Sequence, residues 1–383
     1  MRIAIITEGF RPYIGGAETR YTKFAEALSK KHEVDVLTIF QNTTPVGDRE
    51  VLDEENLGRL KIYRLKVGEN YFLKDGTRSI KGVLRLSRWC SELLPKNDYE
   101  AVLISEWPLI HIIYIYMKTK LGKRMIVDWH EVWSKYYLNF GIKGFAGFFS
   151  ERIIAKLENL RHIAVSEFTK ERLKYILKID KEIPVIWNGI DLKEYDDLGN
   201  VQREFGKIVF FGRFAPHKGI ELLLEAYKIL KNLYKDISIH VIGDGPLRDK
   251  VAKLISRIDN AHLHVAVSRE ELLRHVKSSH VVVIPSYREG HGIAYLEAMA
   301  AGTPVISIMS PNNAFSNMVR NGEEAIISKS DPINIAESIR KIIEDDELWK
   351  KLSINGINFA RKFSWDNMCL KLEKVLMEAS GYV

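Results

Sequence analysis

The sequence predicts an α/β protein built from two similar domains, and three observations support that prediction. At roughly 150 residues per domain, the 383 residues of the chain are enough for two domains. Short β-branched runs alternate with longer segments of helical period, a pattern typical of parallel sheets covered by helices. The alternation stops at an Asn-Gly turn and an acidic stretch, residues 188–200, and then begins again.

The composition and the cysteine content exclude several other classes of protein. Hydrophobic residues make up 46% of the chain and charged residues 28%, which is typical of globular domains and excludes a disordered or fibrous chain. Cys90 and Cys369 are too few for a disulfide framework and have no zinc-ligand spacing, so a reducing cytoplasmic location is expected. The first strand pattern follows no signal peptide and no apolar run reaches 18 residues, so neither secretion nor a membrane span is predicted.

The net charge allows an anionic partner without identifying it. The chain has 57 Lys and Arg against 50 Asp and Glu, a net charge of +7. Most basic residues alternate with acidic ones along helical stretches such as Glu221–Lys235, which indicates a solvated face and argues against nucleic-acid binding. Sugar phosphates and an anionic membrane surface remain as candidate partners.

The predicted elements divide the chain into domains at residues 1–187 and 188–364. The strand candidates of the first half are Ile3–Thr7, Val34–Ile39, Lys61–Leu65, Ala101–Ser105, Met125–Asp128, His162–Val165 and Pro184–Trp187. Those of the second half are Lys207–Phe211, Ile237–Ile242, His262–His264, His280–Ile284, Pro304–Ser307 and Glu324–Ile327. A final amphipathic stretch within residues 365–383 is long enough to cross back onto the first domain.

Glycines follow the first strand in a loop that leads into a helix. Gly15 and Gly16 precede the helical pattern, and paired glycines there let backbone amides approach a phosphate. A plain glycine turn is the alternative. The fingerprint G-x-G-x-x-G is absent, which argues against a nicotinamide or flavin enzyme.

Two basic residues follow the first strand of the second half. Arg213 and Lys218 flank a loop at the carboxyl end of a strand, where open α/β sheets bind ligands, and two cations there suit a diphosphate. The alternative is ordinary surface charge. Gly243 begins a further glycine turn, Gly243-Asp244-Gly245-Pro246, which is weak support by itself.

The most informative stretch covers residues 285–304. A Gly-x-Gly loop of Gly290, His291 and Gly292 leads into a helix that begins near Ile293, so the loop amides and the helix dipole predict a bound anion. Glu289 and Glu297 can then contact hydroxyl groups of the same ligand. The alternative, that Glu297 is an exposed helix residue, is disfavoured by the apolar, alanine-rich sequence around it.

These motifs together resemble the retaining glycosyltransferases of family four, which have the GT-B fold of two facing Rossmann-like domains with an interdomain cleft. Glu289 and Glu297 match the family's E-x(7)-E, and the run Ala298–Val305 follows it. The matching segments elsewhere are Asn188–Asp191, Gly212-Arg213 with Lys218-Gly219, and Gly243–Pro246. The resemblance extends over nearly the whole chain with the motifs in the family's order.

The resemblance implies a role for each matched residue. Arg213 and Lys218 would hold the nucleotide diphosphate, and the amides of Gly16, Ile293 and Ala294 would assist. Glu297 would bind the ribose, and Glu289 with the Gly290–Gly292 loop would face the donor sugar. His130, which follows a strand end, matches the histidine that the family directs at the transferring sugar; a structural histidine is the alternative. His130 and Glu289 are therefore the expected catalytic residues.

Two segments depart from the family pattern. His291 stands where phenylalanine is usual, and Ser310–Asn317 stands where G-G-x-x-E is common. The sequence therefore specifies neither the donor sugar nor the nucleotide base.

The acceptor side is predicted from the stretch Trp133–Phe149, which is aromatic, interrupted by glycines and marked by lysines. Such a stretch suits a membrane surface or a lipid-linked acceptor, and burial within the first domain is the alternative. Arg11 and Tyr13 in the first loop are further acceptor candidates.

The predicted function is transfer of a hexose from a UDP-, GDP- or ADP-hexose to a glycan or lipid-linked acceptor, with retention of the anomeric configuration. The nucleotide sugar is a substrate, so no cofactor is expected. Because no Asp-x-Asp occurs, metal-independent transfer is expected. The expected location is cytoplasmic, including the membrane face. The alternatives are a GT-B phosphorylase or epimerase and a non-catalytic subunit that binds sugar nucleotides.

Overall fold

The computed structural model describes residues 1–13, 15–40, 51–68, 71–73 and 77–381. Their contacts divide the chain into two compact units. The N-terminal unit contains Met1–Asn188 together with Trp365–Val383, and the C-terminal unit contains Gly189–Ser364.

The N-terminal unit is built on a mainly parallel sheet. Its strands are β1 Arg2–Ile6, β2 Glu33–Ile39, β3 Glu54–Leu57, β4 Leu60–Leu65, β5 Ala101–Ser105, β6 Met125–Trp129 and β7 Arg161–Ala164. Their order across the described sheet is β3-β4-β2-β1-β5-β6-β7, and only β3 runs antiparallel to its neighbour. The chain moves outward from β1 on one side and then on the other, so the topological switch point lies between β1 and β5.

Helices cover this sheet and complete its core. They are α1 Gly16–Leu28, α2 Ile80–Leu93, α3 Leu109–Lys118, α4 Gly141–Lys156 and α5 Glu167–Tyr175, with a 3₁₀ segment at Ser134–Phe140 before α4. All four residues of β1 from Ile3 to Ile6 are fully buried, as expected for a parallel strand covered on both faces.

The C-terminal unit repeats this plan. Its strands are β8 Lys207–Phe211, β9 Ser238–Ile242, β10 Ala261–His264, β11 Val281–Val283, β12 Arg288–Glu289, β13 Val305–Ile308, β14 Asn312–Asn313 and β15 Ile326–Ser328. The described main sheet is parallel throughout, in the order β10-β9-β8-β11-β13-β15, and β12 pairs separately with β14. The switch point of this sheet lies between β8 and β11.

The helices of the C-terminal unit alternate with these strands. They are α6 Leu192–Asp196, α7 Ile220–Lys231, α8 Arg248–Ile255, α9 Arg269–Ser278, α10 Ile293–Ala300, α11 Phe315–Met318, α12 Pro332–Glu344 and α13 Asp346–Ala360. The 3₁₀ segment Pro216–Lys218 precedes α7.

The last helix of the described chain, α14 Trp365–Ser380, belongs to the N-terminal unit. It packs against α1 and β5, and Trp365 meets Phe24 of α1 edge-on with ring centroids 5.9 Å apart. Across the described ranges, every helix is too short or too polar to cross a bilayer.

The α/β prediction is confirmed, and most predicted strands lie within two residues of their observed positions. The strand predicted at Pro184–Trp187 is wrong, because this segment makes a single bridge, from Val185 to Ala164. Strand β3 was missed because its sequence, Glu-Glu-Asn-Leu, is polar and largely exposed. The two-residue strands β12 and β14 are too short to show any sequence period.

Candidate functional site

Lys218, predicted to bind the donor, and Glu289, predicted to be catalytic, meet at the switch point of the C-terminal sheet. Lys218 lies in the 3₁₀ segment that follows β8, and Glu289 lies in β12, within the connection that follows β11. Their side chains form an ion pair, with Lys218 Nζ 2.5 Å from Glu289 Oε1, and are only 19% and 12% exposed. The carboxyl ends of two adjacent parallel strands therefore bring together residues that are far apart in sequence.

Arg213 provides an uncommitted positive charge in the same loop after β8. Its side chain is exposed and makes no ion pair or hydrogen bond with another described residue. It can therefore turn toward an anionic ligand without losing an existing partner.

Glycines allow these loops to approach one another closely. Gly219 has φ +66°, and a Cβ there would overlap the carbonyl oxygen of Pro285. Gly243 has φ +144°, and a Cβ there would overlap the carbonyl oxygen of Gly212. Only glycine suits both the backbone conformation and the space at these two positions.

Glu297 lies on α10 and forms a second ion pair. Arg269, at the start of α9, donates to Glu297 Oε1 at 2.6 Å and also binds Glu194 Oε2 at 2.8 Å. Burial raises the pKa of the Glu297 carboxyl, and the Arg269 guanidinium opposes that shift. Sequence reasoning missed Arg269, because an Arg-Glu-Glu start to a helix looks like an ordinary solvated face.

The backbone around Glu289 is supported by the segment Ser310–Asn317, one of the two segments in which the sequence departs from the family pattern. The amide of Asn313 donates to the Ser286 carbonyl at 2.9 Å and to the hydroxyls of Tyr295 and Ser307 at 3.3 and 3.1 Å. The backbone N–H of Ala314 donates to the Glu289 carbonyl at 2.9 Å. This segment therefore holds β12 and Glu289 in place.

Replacing Asn313 by alanine is expected to lower the free energy of unfolding by about 1–3 kcal/mol, because four buried polar groups, including the backbone N–H of Phe315, would lose a hydrogen-bond partner. Urea unfolding measures this loss. The exposed Asn317 provides the control, since Asn317→Ala should change stability by less than about 0.5 kcal/mol. Equal effects of the two variants would contradict the supporting role of Asn313.

The remaining predicted residues of this loop lie directly before or within the first turn of α10. Gly292, with φ +82°, is the N-cap, and Ile293 and Ala294 begin the helix. The ring of His291 is 2% exposed and packs edge-on against Phe363 with centroids 5.6 Å apart. Gly290 lies between Glu289 and this buried histidine.

In the N-terminal unit, His130 follows β6 and is held by polar neighbours. Its Nε2 lies 3.1 Å from the Tyr21 hydroxyl and 3.7 Å from Asp128 Oδ2. The backbone N–H of His130 donates to Glu106, a buried carboxylate that follows β5. Burial raises the pKa of the Glu106 carboxyl well above its usual range.

Arg20 and Asp128 form a fully buried ion pair beside His130. Arg20 Nε and Nη2 donate to the two carboxylate oxygens of Asp128 at 2.8 and 2.9 Å, and neither side chain is exposed. Although burial alone would raise it, the pKa of the Asp128 carboxyl lies well below its usual range because of the Arg20 guanidinium and the adjacent His130 ring. The sequence signal that was missed is a carboxylate inside an apolar strand.

The first loop differs in detail from the predicted phosphate cradle. Helix α1 begins at Gly16, within one residue of the start that the sequence predicted directly after the glycine pair. The Glu18 side chain lies against Gly9 and Gly15, where added Cβ atoms would overlap its carboxylate. Apart from its chain neighbours and its own helix backbone, no described atom lies within 4 Å of a Cβ built on Gly16, so of Gly9, Gly15 and Gly16 it is Gly16 that faces open space.

The acceptor candidates of the first loop are partly covered. Arg11 pairs with Glu26 at 3.4 Å, and Tyr13 is 7% exposed. Glu8, which sequence reasoning missed, lies two residues after the end of β1, is buried, and binds Arg78 at 2.7 Å.

The aromatic segment before and within α4 has both a buried and an exposed part. Tyr137 is 5% exposed and packs against Trp107 and Trp133. An exposed apolar stripe remains on the same segment and consists of Leu138, Phe140, Phe145, Phe149 and Ile153. The side chains of Ile142 and Lys143 lie outside the described set.

Both halves of the chain match known glycosyltransferase family models. Residues 14–194 match the family model described as Glycosyltransferase Family 4, and residues 197–359 match the one described as Glycosyl transferases group 1. An uncharacterized glycosyltransferase of Methanocaldococcus jannaschii is 25% identical over 97% of this chain and 97% of its own length.

Solved structures with low sequence identity share the fold. A sucrose-phosphate synthase from Thermosynechococcus elongatus superposes with a TM-score of 0.83 at 18% identity, covering 100% of both chains. Anabaena HepE, solved in complex with UDP and glucose, superposes with a TM-score of 0.71 at 15% identity, covering 98% of this chain and 99% of its own.

Proposed function

Because the chain belongs to the group 1 glycosyltransferases of family four, with the GT-B fold, we propose that it transfers a hexose from a nucleoside-diphosphate hexose to an acceptor hydroxyl with retention of configuration. The single observation that carries the proposal is the ion pair of Lys218 and Glu289 at the switch point of the C-terminal sheet. The HepE structure, solved with UDP and glucose, supports a nucleotide sugar as donor.

The ion pair provides one group for each half of the donor. A diphosphate would attract the ammonium of Lys218, and Arg213 would add a second cation from the same loop. Glu289, released from Lys218, would then accept hydrogen bonds from hydroxyls of the sugar. The pair thus holds two partly buried groups in place until the donor replaces their mutual contact.

Charge stabilisation is the main chemical contribution that we propose for these cations. Negative charge develops on the departing diphosphate as the anomeric bond breaks, and preorganised cations lower the free energy of that transition state. His130 is proposed as a further catalytic residue, with Tyr21 and Asp128 orienting its ring. We propose retention from the resemblance of the motifs to the retaining members of the family, and nuclear magnetic resonance of the product's anomeric proton would test it.

Glu297 is proposed to bind the ribose, because a partly buried carboxylate accepts hydrogen bonds from two neighbouring hydroxyls. Glu297→Gln is expected to weaken nucleotide binding by roughly 10- to 150-fold, the value of a lost charged hydrogen bond of about 1.5–3 kcal/mol. Calorimetric titration with the nucleoside diphosphate measures this. Glu194→Gln is the matched control, since Glu194 binds the same arginine; equal weakening in both variants would assign the effect to Arg269.

We propose that the diphosphate is stabilised without a divalent metal ion. Among the residues that the structure describes, neither Glu289 nor Glu297 belongs to a three-ligand cluster of His, Cys, Asp or Glu side chains. The transfer rate is expected to stay unchanged in EDTA. A loss of transfer that Mg²⁺ or Mn²⁺ restores would contradict this proposal.

The exposed apolar stripe is proposed to contact a membrane that carries a lipid-linked acceptor. Its phenylalanines at 145 and 149 are 52% and 55% exposed, and inserting such side chains into a bilayer removes apolar area from water. The variant Phe145→Ser with Phe149→Ser is expected to sediment less with anionic phospholipid vesicles. Phe205→Ser is the control, because Phe205 is also exposed, at 62%, but lies in the C-terminal unit. Absence of vesicle binding by the unaltered protein would favour a glycan acceptor.

Donor turnover separates the proposed function from its alternatives. The protein would be incubated with UDP-, GDP- and ADP-hexoses and an acceptor extract, and release of nucleoside diphosphate would be measured. Release that depends on the extract supports transfer. A requirement for inorganic phosphate would indicate a phosphorylase, and conversion of the donor to its epimer would indicate an epimerase. Saturable binding without turnover would indicate a non-catalytic subunit.

A further inference from the structure

Four histidines gather at the edge of the C-terminal sheet. In the parallel pair β9 and β10, His240 lies opposite His262, and His264 lies two residues further along on the same face. Helix α9 contributes His275 to this group, with its ring 5.4 Å from that of His240 and 4.5 Å from that of His264. The proposed transfer uses none of these residues.

Three of the four rings have the spacing of metal ligands. One nitrogen from each of His240, His264 and His275 lies within 4.8 Å of the other two. His240 Nδ1 and His264 Nε2 are already 3.0 Å apart, close to the distance of about 3.3 Å between two nitrogens bound tetrahedrally to one zinc ion at about 2.0–2.1 Å. His262 is exposed, and its Nε2 contacts Asn260, so it lies at the margin of the group.

A buried nitrogen in this group has no partner within the described part of the chain. His275 Nδ1 is inaccessible to solvent and makes no hydrogen bond there. A buried nitrogen without a partner costs about 1–3 kcal/mol in general, and a metal ion would offset that cost by accepting its lone pair.

The surrounding charges are compatible with a cation. Lys207 is the nearby positive charge, and its Nζ is bound by Glu204 at 2.6 Å and by the Ser278 hydroxyl at 2.7 Å. Glu271 adds negative charge beside His264 and His275.

We propose that His240, His264 and His275 form a binding site for one Zn²⁺ ion. Imidazole nitrogens suit zinc, and three protein ligands leave a fourth position for water. The ion would fasten the edge strand β10 and helix α9 to β9. Because α9 also carries Arg269, the partner of Glu297, the ion would stabilise the helix that supports the proposed ribose site.

Zinc titration of the full chain, prepared without a histidine tag and freed of metal by a chelator, tests this proposal. We expect one Zn²⁺ per chain in competition with a chromophoric indicator, and a visible Co²⁺ spectrum typical of a low-symmetry nitrogen site. Zn²⁺ should also raise the Tm. His264→Gln and His275→Gln should each weaken binding by at least about 10- to 100-fold, because even loss of a residue that supports a ligand costs that much.

His32→Gln is the matched control, because His32 lies in the N-terminal unit and pairs with Glu373. It should leave zinc binding unchanged. Circular dichroism of the metal-free variants establishes that they fold. If His264→Gln in strand β10 does not fold, His275→Gln in helix α9 still gives the test. Absence of saturable binding, or equal affinity in the unaltered protein and both variants, would overturn the site. Neither outcome depends on glycosyl transfer.

Discussion

Replacing Lys218 by alanine is expected to lower the rate of sugar transfer by about 10²- to 10³-fold, the usual cost of removing a preorganised group that stabilises developing negative charge. The same change leaves Glu289, whose side chain is 12% exposed, without its cation. The donor would therefore lose a diphosphate contact and meet a misplaced carboxylate. Steady-state release of nucleoside diphosphate, at saturating donor, measures the effect on kcat.

Lys228→Ala is the matched control for this variant. Lys228 lies on α7, and its ion pair with Glu225 is exposed, so its removal should change neither activity nor stability appreciably. Lys218→Arg keeps the charge but not the compact ammonium group, so we expect it to restore only part of the rate. Turnover by Lys218→Ala equal to that of Lys228→Ala would show that Lys218 does not act on the diphosphate.

Replacing Arg20 by methionine is expected to lower the free energy of unfolding by about 3–5 kcal/mol. The change leaves the fully buried Asp128 carboxylate without the guanidinium that binds both of its oxygens. It also removes the hydrogen bonds from Arg20 to the carbonyl of Trp187 and the side chain of Asn188. Urea unfolding followed by circular dichroism measures the loss.

A double-mutant cycle separates the ion pair from the other contacts of Arg20. Arg20→Met combined with Asp128→Leu removes both charges, so the double variant should be more stable than Arg20→Met alone. If it is less stable by the sum of the two single losses, the pair contributes no coupling energy and the interpretation is wrong.

The same pair makes stability depend on pH. The pKa of Asp128 is lower in the folded protein than the usual value of about 3.9 in an unfolded chain. Its contribution is therefore fully present above about pH 4 and is lost as the pH falls toward the folded pKa. In Asp128→Asn the free energy of unfolding should lack this part of its dependence on acidic pH. The same pH dependence in Asp128→Asn and the unaltered protein would contradict the role of Asp128.

The fold was predictable because its strands are short apolar runs with clear turn signals between them. Strand β8, with Ile208 to Phe211 all buried, is an example of a parallel strand that carries its own signal. The loops after β8 and β11 were predictable as loops at the carboxyl ends of strands from their glycines and the apolar runs before them, and their role in binding the donor is a proposal. The segment Pro184–Trp187 has the same local pattern, but it forms a single bridge, from Val185 to Ala164. Strand pairing depends on a neighbouring strand that the local sequence does not specify.

The contacts within the candidate site depend on sheet order, which the local sequence does not contain. Lys218 and Glu289 are 71 residues apart, and they meet only because β8 and β11 are neighbours. Arg20 on α1 and Asp128 on β6 are 108 residues apart, and no local sequence pattern indicates that they meet. Arg269 reaches Glu297 from a different helix, and no spacing between the two indicates it.

Transfer of radiolabelled hexose from a nucleoside-diphosphate hexose into an acceptor fraction tests the central claim most directly. The proposed function predicts label in the acceptor with the unaltered protein and with Lys228→Ala, and at least about 10²-fold less label with Lys218→Ala. Equal labelling by Lys218→Ala, or no labelled fraction although the nucleotide sugar binds saturably, would contradict it.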